Sequence, residues 1–135
     1  MSDPAASRSR IRGESPFEGP IGFSRAVRVG DRVLVSGTGP VWPDGSCDPD
    51  AGVQAGRCFE LIERALAEAG ASVSDVVRTR MFIIDRGDSE AVGAAHAEAM
   101  GEARPAATMV VVAGLLDPRW KVEIEAEATI ACDQI

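Results

Sequence analysis

Alternating apolar and polar residues near the start of the chain predict a β-hairpin. Residues 25–29 and 32–37 are rich in valine, and Gly30-Asp31 between them is a common two-residue turn. The segment that follows, as far as Gly52, is crowded with Pro, Gly and Asp, which predicts a loop.

Two later segments carry apolar residues every three or four positions, which is the spacing of one helical face. The first covers about residues 53–69, and Gly70 suits the left-handed position that often ends a helix. The second runs from about Ser89 to Met100, with Asp88 or Ser89 as its N-cap.

Three further segments have the pattern of strands. Residues 76–85 and 106–115 are apolar and rich in β-branched side chains, which predicts buried strands. Residues 122–130 alternate, with apolar side chains on one side and mostly glutamates on the other. The order β-β-α-β-α-β-β is not strictly alternating. It predicts an α+β fold, in which one mixed sheet carries two helices packed on one face.

Length and composition predict one domain with an N-terminal extension. Residues 1–15 are rich in Ser, Arg and Ala and have little apolar content, which predicts a flexible arm. Its arginines could serve a partner, although a solvated tail is the simpler interpretation. Residues 16–135 are expected to form a single domain.

The charge balance limits the classes of partner. A net charge of -7 argues against general binding to nucleic acid, whose phosphates it would repel. The start of the chain lacks the apolar core of a signal peptide, and no apolar run approaches the ~20 residues of a membrane span. The three cysteines have no zinc-site spacing, so we expect reduced thiols in a cytoplasmic protein that uses no metal.

Three motifs, in chain order, resemble those of a known family. They are Gly22-Phe23-Ser24-Arg25-Ala26-Val27 in the hairpin, Arg104-Pro105-Ala106 before the penultimate strand, and Val122-Glu123-Ile124-Glu125-Ala126 in the last strand. With them, residues 15–131 resemble the RidA/YjgF family of small trimeric enamine and imine deaminases.

The resemblance implies a chorismate-mutase-like subunit in a trimeric, barrel-like assembly, with clefts between neighbouring subunits that bind a small molecule. In deaminating relatives an arginine holds the substrate carboxylate, and a water placed by backbone groups and a glutamate attacks the imine carbon. The products are a 2-keto acid and ammonia, and no metal or organic cofactor is implied.

The chain departs from the family pattern at three site positions. Ala107 stands where deaminating members have the carboxylate-binding arginine, Phe23 stands in place of a tyrosine, and Gly93 in place of a common asparagine. An alanine methyl group cannot make the two-pronged contact that a guanidinium makes with a carboxylate. The chain therefore resembles the subset of the family that lacks this arginine, whose substrates are largely unassigned.

Glu123 matches a family glutamate and is the predicted catalytic residue, placing or activating water. The alternative is a glutamate on a solvated or interfacial strand face. The predicted substrate-binding residues are Phe23, Arg25, Arg104, Ala107, Thr108 and Trp120. Among these, either arginine could hold an anion or lie in a surface ion pair, and the tryptophan could wall a cleft or pack in the core. His96, on an apolar helical stripe, is expected to have a packing role.

Three hypotheses about function follow. The leading one is an enamine or imine deaminase-type hydrolase, releasing ammonia from a substrate other than the usual 2-aminoacrylate-derived imine. The alternative is a non-catalytic ligand-binding or chaperone-like trimer of the same fold. The third is a pathway-specific enzyme for a substrate without a carboxylate; ribonuclease activity is the weakest option because the chain is acidic.

Overall fold

The computed structural model of the chain describes residues 8–130, which form one six-stranded sheet with helices. The order across the sheet is β1-β2-β3-β6-β4-β5, and every neighbouring pair is antiparallel except β4 and β5. The strands are β1 Ser9–Ile11, β2 Ala26–Val29, β3 Arg32–Thr38, β4 Val76–Ile83, β5 Ala106–Val111 and β6 Val122–Thr129. This mixed sheet confirms the predicted α+β class.

Two long helices, α2 and α3, and one short helix, α1, accompany the sheet. They span Glu18–Ile21 (α1), Ala51–Glu68 (α2) and Ser89–Met100 (α3), and short 3₁₀ turns precede β4 and α3. The Asp50 carboxylate caps α2 by accepting a hydrogen bond from the Val53 amide, whereas the Asp88 side chain at the start of α3 makes no such bond. Gly70, just past α2, has a φ of 84°, as its sequence position predicts.

The core lies between one face of the sheet and the two long helices. Along β6, Val122, Ile124, Ala126 and Ala128 are buried and pack into one cluster with apolar side chains of α2 and α3. Strand alternation therefore directs the three β6 glutamates to the opposite face, away from the helices. That face carries the predicted catalytic residue, Glu123.

The structure corrects two expectations from the sequence. Residues 9–11 of the supposed flexible arm form β1, which pairs antiparallel with β2; residues 1–7 lie outside the described residues. The predicted buried strand over residues 106–115 is shorter, ending at Val111, and most of it is exposed. Both segments lie at the two edges of the sheet, where a strand has a neighbour on one side only.

A register shift in the middle of the sheet shapes the site. The pairing of β3 with β6 is regular up to Val35, then shifts before Thr38 pairs with Ile124. Such a bulge lets one strand carry extra residues against its partner and turns a side chain to a new direction. Gly37 lies within this bulge, directly beside Glu123 of β6.

Candidate functional site

Glu123 occupies a notch that exists because residue 37 has no side chain. A Cβ on Gly37 would collide with the Glu123 carboxylate, so only glycine leaves this carboxylate in its present position. The pKa of Glu123 is raised, chiefly by burial; the repulsion of Glu125 adds to the shift, and the attraction of Arg25 opposes it. A half-buried carboxylate of raised pKa is suited to accept and return a proton.

The other two glutamates of this face have a different environment. Glu125 and Glu127 both pair with Arg80 of the neighbouring strand, at N–O distances of 3.0 and 3.7 Å. Arg80 therefore has an ion-pair role. Glu123 is not part of these ion pairs. Of the three glutamates on this face of β6, Glu125 and Glu127 are therefore ion-paired and Glu123 is not.

Arg25 is buried beside Glu123 and bonded to the bulge. Its side chain is 6% exposed; Nη1 donates to Thr38 Oγ1 at 3.1 Å and Nη2 donates to the Gly37 carbonyl at 3.0 Å. Burial lowers the pKa of Arg25, while the charges of Glu18 and Glu123 act in the opposite sense. Two of the three guanidinium nitrogens are therefore hydrogen-bonded to the protein itself.

Phe23 lies against the same arginine. The Arg25 guanidinium carbon is 5.4 Å from the centre of the Phe23 ring, a distance at which a cation is attracted to an aromatic face. The structure thus brings three predicted site residues together: Phe23, Arg25 and Glu123.

Trp120 is buried next to this group and has a packing role. It is 7% exposed, its indole ring covers Gly39, where a Cβ would lie 2.5 Å from ring atoms, and Phe17 meets it edge-on at 6.0 Å. Its burial fits the packing alternative left open by the sequence, and its place at the wall of a groove fits the other. One edge of the ring also borders an open groove of about 650 Å³ beside the loop of residues 113–121.

The remaining predicted residues form a second, separate group on β5. Arg104, Ala107 and Thr108 are exposed, and Arg104 adopts an unusual positive φ of 48° before Pro105. Thr108 of β5 pairs with Arg80 of β4, and Arg80 pairs with Glu125 of β6. Strand β5 is therefore two strands away from β6, or about 10 Å at the usual strand spacing. Within one chain, the β5 group and the Glu123 group do not form one pocket.

A small cavity lies on the other side of Arg25. It has a volume of about 160 Å³ and lies between residues 12–15 and α2; its wall includes Arg25 and Gly39 but not Glu123. Among residues 8–130, no group of three His, Cys, Asp or Glu side chains is arranged to hold a metal ion. Cys47 and Cys58 are free thiols, and Cys132 lies outside the described residues.

Comparison with known proteins agrees with this fold. The family model described as Endoribonuclease L-PSP matches residues 17–130. The chain belongs to the RidA/YjgF family. Relatives include an uncharacterised protein of Streptomyces coelicolor, 40% identical over 88% of this chain and 90% of the relative, and the 2-iminobutanoate/2-iminopropanoate deaminase of Salmonella typhimurium, 34% identical over 78% and 85%.

A solved structure supports the same assignment. The crystal structure of a YjgF/YER057c/UK114 family member from Mycobacterium tuberculosis matches with a TM-score of 0.84 at 41% identity, covering 92% of this chain and all of that one. The predicted family and the RidA-like fold are therefore confirmed.

In this RidA/YjgF chain, three residues that surround Glu123 or its neighbour Arg25 were not predicted from the sequence. Gly37, Thr38 and Gly39 provide the notch, a buried acceptor for Arg25 and the surface that Trp120 covers. A signal was present, because two glycines flanking one residue at a strand end are typical of a bulge or a close approach of neighbouring groups. The pattern did not reveal which side chains would fill the space.

Proposed function

We propose that this protein is an enamine or imine deaminase-type hydrolase that releases ammonia, with Glu123 as the catalytic residue. The observation that carries the proposal is the half-buried Glu123 carboxylate, whose pKa is raised and which stands apart from the Arg80 ion pairs. The Salmonella relative named as an imine deaminase supports this class of reaction.

The proposed reaction needs one water and one proton-transfer group. The water oxygen bonds to the imine carbon while Glu123 takes a proton from the water and passes it to the imine nitrogen, giving a carbinolamine. Glu123 then takes the proton of the carbinolamine hydroxyl and delivers it to the nitrogen as the C–N bond breaks, so that ammonia leaves and a carbonyl group forms. A pKa raised towards neutral pH favours both transfers.

The substrate is proposed to differ from that of the arginine-containing members. Ala107 offers no guanidinium, and the guanidinium of Arg25 is already bonded to the protein. Of the two arginines predicted to bind the substrate, Arg104 is therefore the one proposed to hold an anion, and it lies three positions before Ala107. Phe23 would supply an apolar wall and backbone amides near Ala107 and Thr108 would polarise the substrate. These residues favour an imine that has no carboxylate, or one whose carboxylate contributes little to binding.

The active unit is proposed to be a homotrimer. In one chain the Glu123 group and the β5 group of Arg104, Ala107 and Thr108 are two strands apart. A cleft between copies would join the Glu123 group of one subunit to the β5 group of its neighbour. Helices long and apolar enough to cross a membrane are not found among residues 8–130. A cytoplasmic location and the absence of nucleic-acid partners and cofactors stay predictions.

The test is ammonia release from imines generated in situ, both from amino acids and from simple amines that lack a carboxylate. We expect Glu123→Gln to lower kcat about 100-fold or more, since a general base contributes roughly 10²–10⁴. Glu127→Gln is the matched control, because that glutamate shares the strand and face but pairs with Arg80. Ala107→Arg should improve turnover of the carboxylate-bearing imine.

Two results would contradict the proposal. One is that no imine of either class releases ammonia faster than buffer in wild type or Ala107→Arg. The other is that Glu123→Gln retains the wild-type rate. The first result would favour the alternative, a non-catalytic ligand-binding or chaperone-like trimer. That alternative is supported by Ala107 and by the engagement of Arg25, and a stable keto acid that raises Tm without turnover would identify it.

A further inference from the structure

Arg25, Gly37, Thr38 and Glu123 form one connected unit at the β3 bulge. Arg25 donates to the carbonyl of Gly37 and to the hydroxyl of Thr38, and that hydroxyl donates in turn to the Ser36 carbonyl at 2.8 Å. The Cα of Gly37 faces the Glu123 carboxylate at contact distance. The guanidinium is therefore bonded to the same three-residue segment whose surface receives the glutamate.

We propose that Arg25 is a positioning residue, which holds the β3 bulge in the shape that receives the Glu123 carboxylate and does not bind the substrate's anion. This inference rests on the proposed function only in calling Glu123 catalytic. It replaces the simplest expectation for an arginine in this hairpin, that it substitutes for the missing arginine at position 107.

The surroundings of Arg25 are those of a structural group. Its side chain is 6% exposed, two nitrogens are bonded to the bulge, and the Phe23 ring lies against it at 5.4 Å. To make a two-pronged contact, a substrate carboxylate would have to use the remaining N–H groups of a guanidinium that is 6% exposed and held against the bulge.

Acidic groups of the chain itself surround Arg25. Glu18 faces Arg25 from α1, where its carboxylate also accepts hydrogen bonds from the amides of Gly13 and Ser15. Glu123 faces it from β6, with Glu125 next along the same strand, and the Cys58 thiol of α2, whose pKa is raised by burial, is neutral. The charge of Arg25 is therefore offset by carboxylates of two elements of the same chain.

The test compares two variants that loosen the unit while retaining the positive charge. Arg25→Lys replaces the two-pronged guanidinium by a single ammonium, and Thr38→Val removes the hydroxyl while nearly preserving volume. With both carboxylate-bearing and uncharged imines, we expect kcat to fall about tenfold to 100-fold, as for small displacements of catalytic groups, with KM within twofold. A rise in KM confined to the carboxylate-bearing imine would overturn the proposal, because that is the signature of an anion clamp.

A second measurement needs no turnover and separates failure of this inference from failure of the proposed function. The titration of the Glu123 δ-carbon is followed by NMR in wild type, Arg25→Lys, Thr38→Val and Gly37→Ala, with Arg80→Lys as control. If the bulge holds Glu123, its midpoint should fall towards that of an exposed glutamate in all three bulge variants and stay unchanged in Arg80→Lys. An unchanged midpoint in Arg25→Lys and Thr38→Val, while folded Gly37→Ala shifts it, would overturn the inference.

Discussion

At the scale of single residues, His96 shows how a histidine can be a structural residue. Its Nε2 is 2.8 Å from Thr79 Oγ1, and its ring meets Phe59 edge-on at 5.6 Å between centres. The pKa of His96 is lowered by burial, which disfavours the charged imidazolium. These contacts agree with the packing role that its apolar helical stripe predicts, and they give the fold a dependence on pH.

We expect His96 to make the protein less stable as pH falls through about 6.5, the ordinary histidine pKa. Below that pH, His96 binds a proton in the unfolded chain but not yet in the folded chain, so the free energy of unfolding decreases. The decrease levels off below the lower pKa that His96 has in the folded chain. The free energy of unfolding in urea should be measured from pH 8 to 5 at one protein concentration.

The variant His96→Gln is the reference for this experiment, because groups other than this histidine also change the stability as the pH is lowered. Subtracting its stability from that of wild type isolates the histidine contribution. That difference should decrease from pH 7.5 to 5.5. A difference independent of pH would show that His96 is not kept neutral by the fold.

The residues near Glu123 differ in how far the sequence could predict them. The place of Glu123 follows from strand alternation, since its apolar neighbours must face the core. The burial of Arg25 could not be predicted from strand alternation. It depends on the bulge in β3 and on the segment before α1, where the Glu18 carboxylate accepts a hydrogen bond from the Gly13 amide. A charged side chain is buried only where several such long-range contacts coincide, and a local pattern contains none of them.

At the scale of elements, Gln54 joins α2 to two loops. Its side chain is fully buried; Nε2 donates to the carbonyls of Asp48 and Arg119 at 2.7 and 3.1 Å, and Oε1 accepts from the Lys121 amide at 2.7 Å. One amide group thus satisfies three backbone groups from segments far apart in sequence. It fixes the loop that leads into β6, next to Trp120.

Replacing Gln54 with leucine should cost about 2–4 kcal/mol of stability, because buried backbone groups that lose a partner cost roughly 1–3 kcal/mol each, with partial relaxation. Urea unfolding would measure it, with Glu63→Gln on the exposed side of the same helix as the control, expected to change stability by less than about 0.5 kcal/mol. A Gln54→Leu variant as stable as the control would mean that the loops hold their positions without this amide.

The two long helices and the inner strands were predictable, whereas the edge strands were not. The sequence pattern of α3 predicts its bounds, Ser89–Met100, because one helical face repeats apolar residues with a fixed period. The three residues of β1 are too few to show a period, and they are ordered through pairing with β2. For β5 the apolar composition is real, but an edge position leaves Val110 and Val111 exposed in a single chain.

At the scale of the whole molecule, the face of the sheet away from the helices has no cover within the described residues. Leu34 is 38% exposed and Val110 is 41% exposed on this face, where register places them beside Glu127 and Phe82. Exposed apolar side chains on an uncovered sheet face are unfavourable in water and are typical of subunit contacts. Together with the separation of the two site groups, they support the proposed homotrimer.

The homotrimer predicts a solution mass of three times the 14.1 kDa chain, measured by light scattering after size-exclusion chromatography. Leu34→Lys should lower the mass to one chain, since an ammonium in an apolar contact between subunits loses hydration without a guaranteed partner. Within the chain, the new lysine can pair with Glu127 on the neighbouring strand, so the subunit fold should persist, as far-UV circular dichroism would verify. Val53→Lys, at an exposed apolar residue of α2, is the matched control and should remain trimeric. A wild type of single-chain mass, or a trimer that tolerates Leu34→Lys, would exclude this face as the contact and with it a cleft assembled across it.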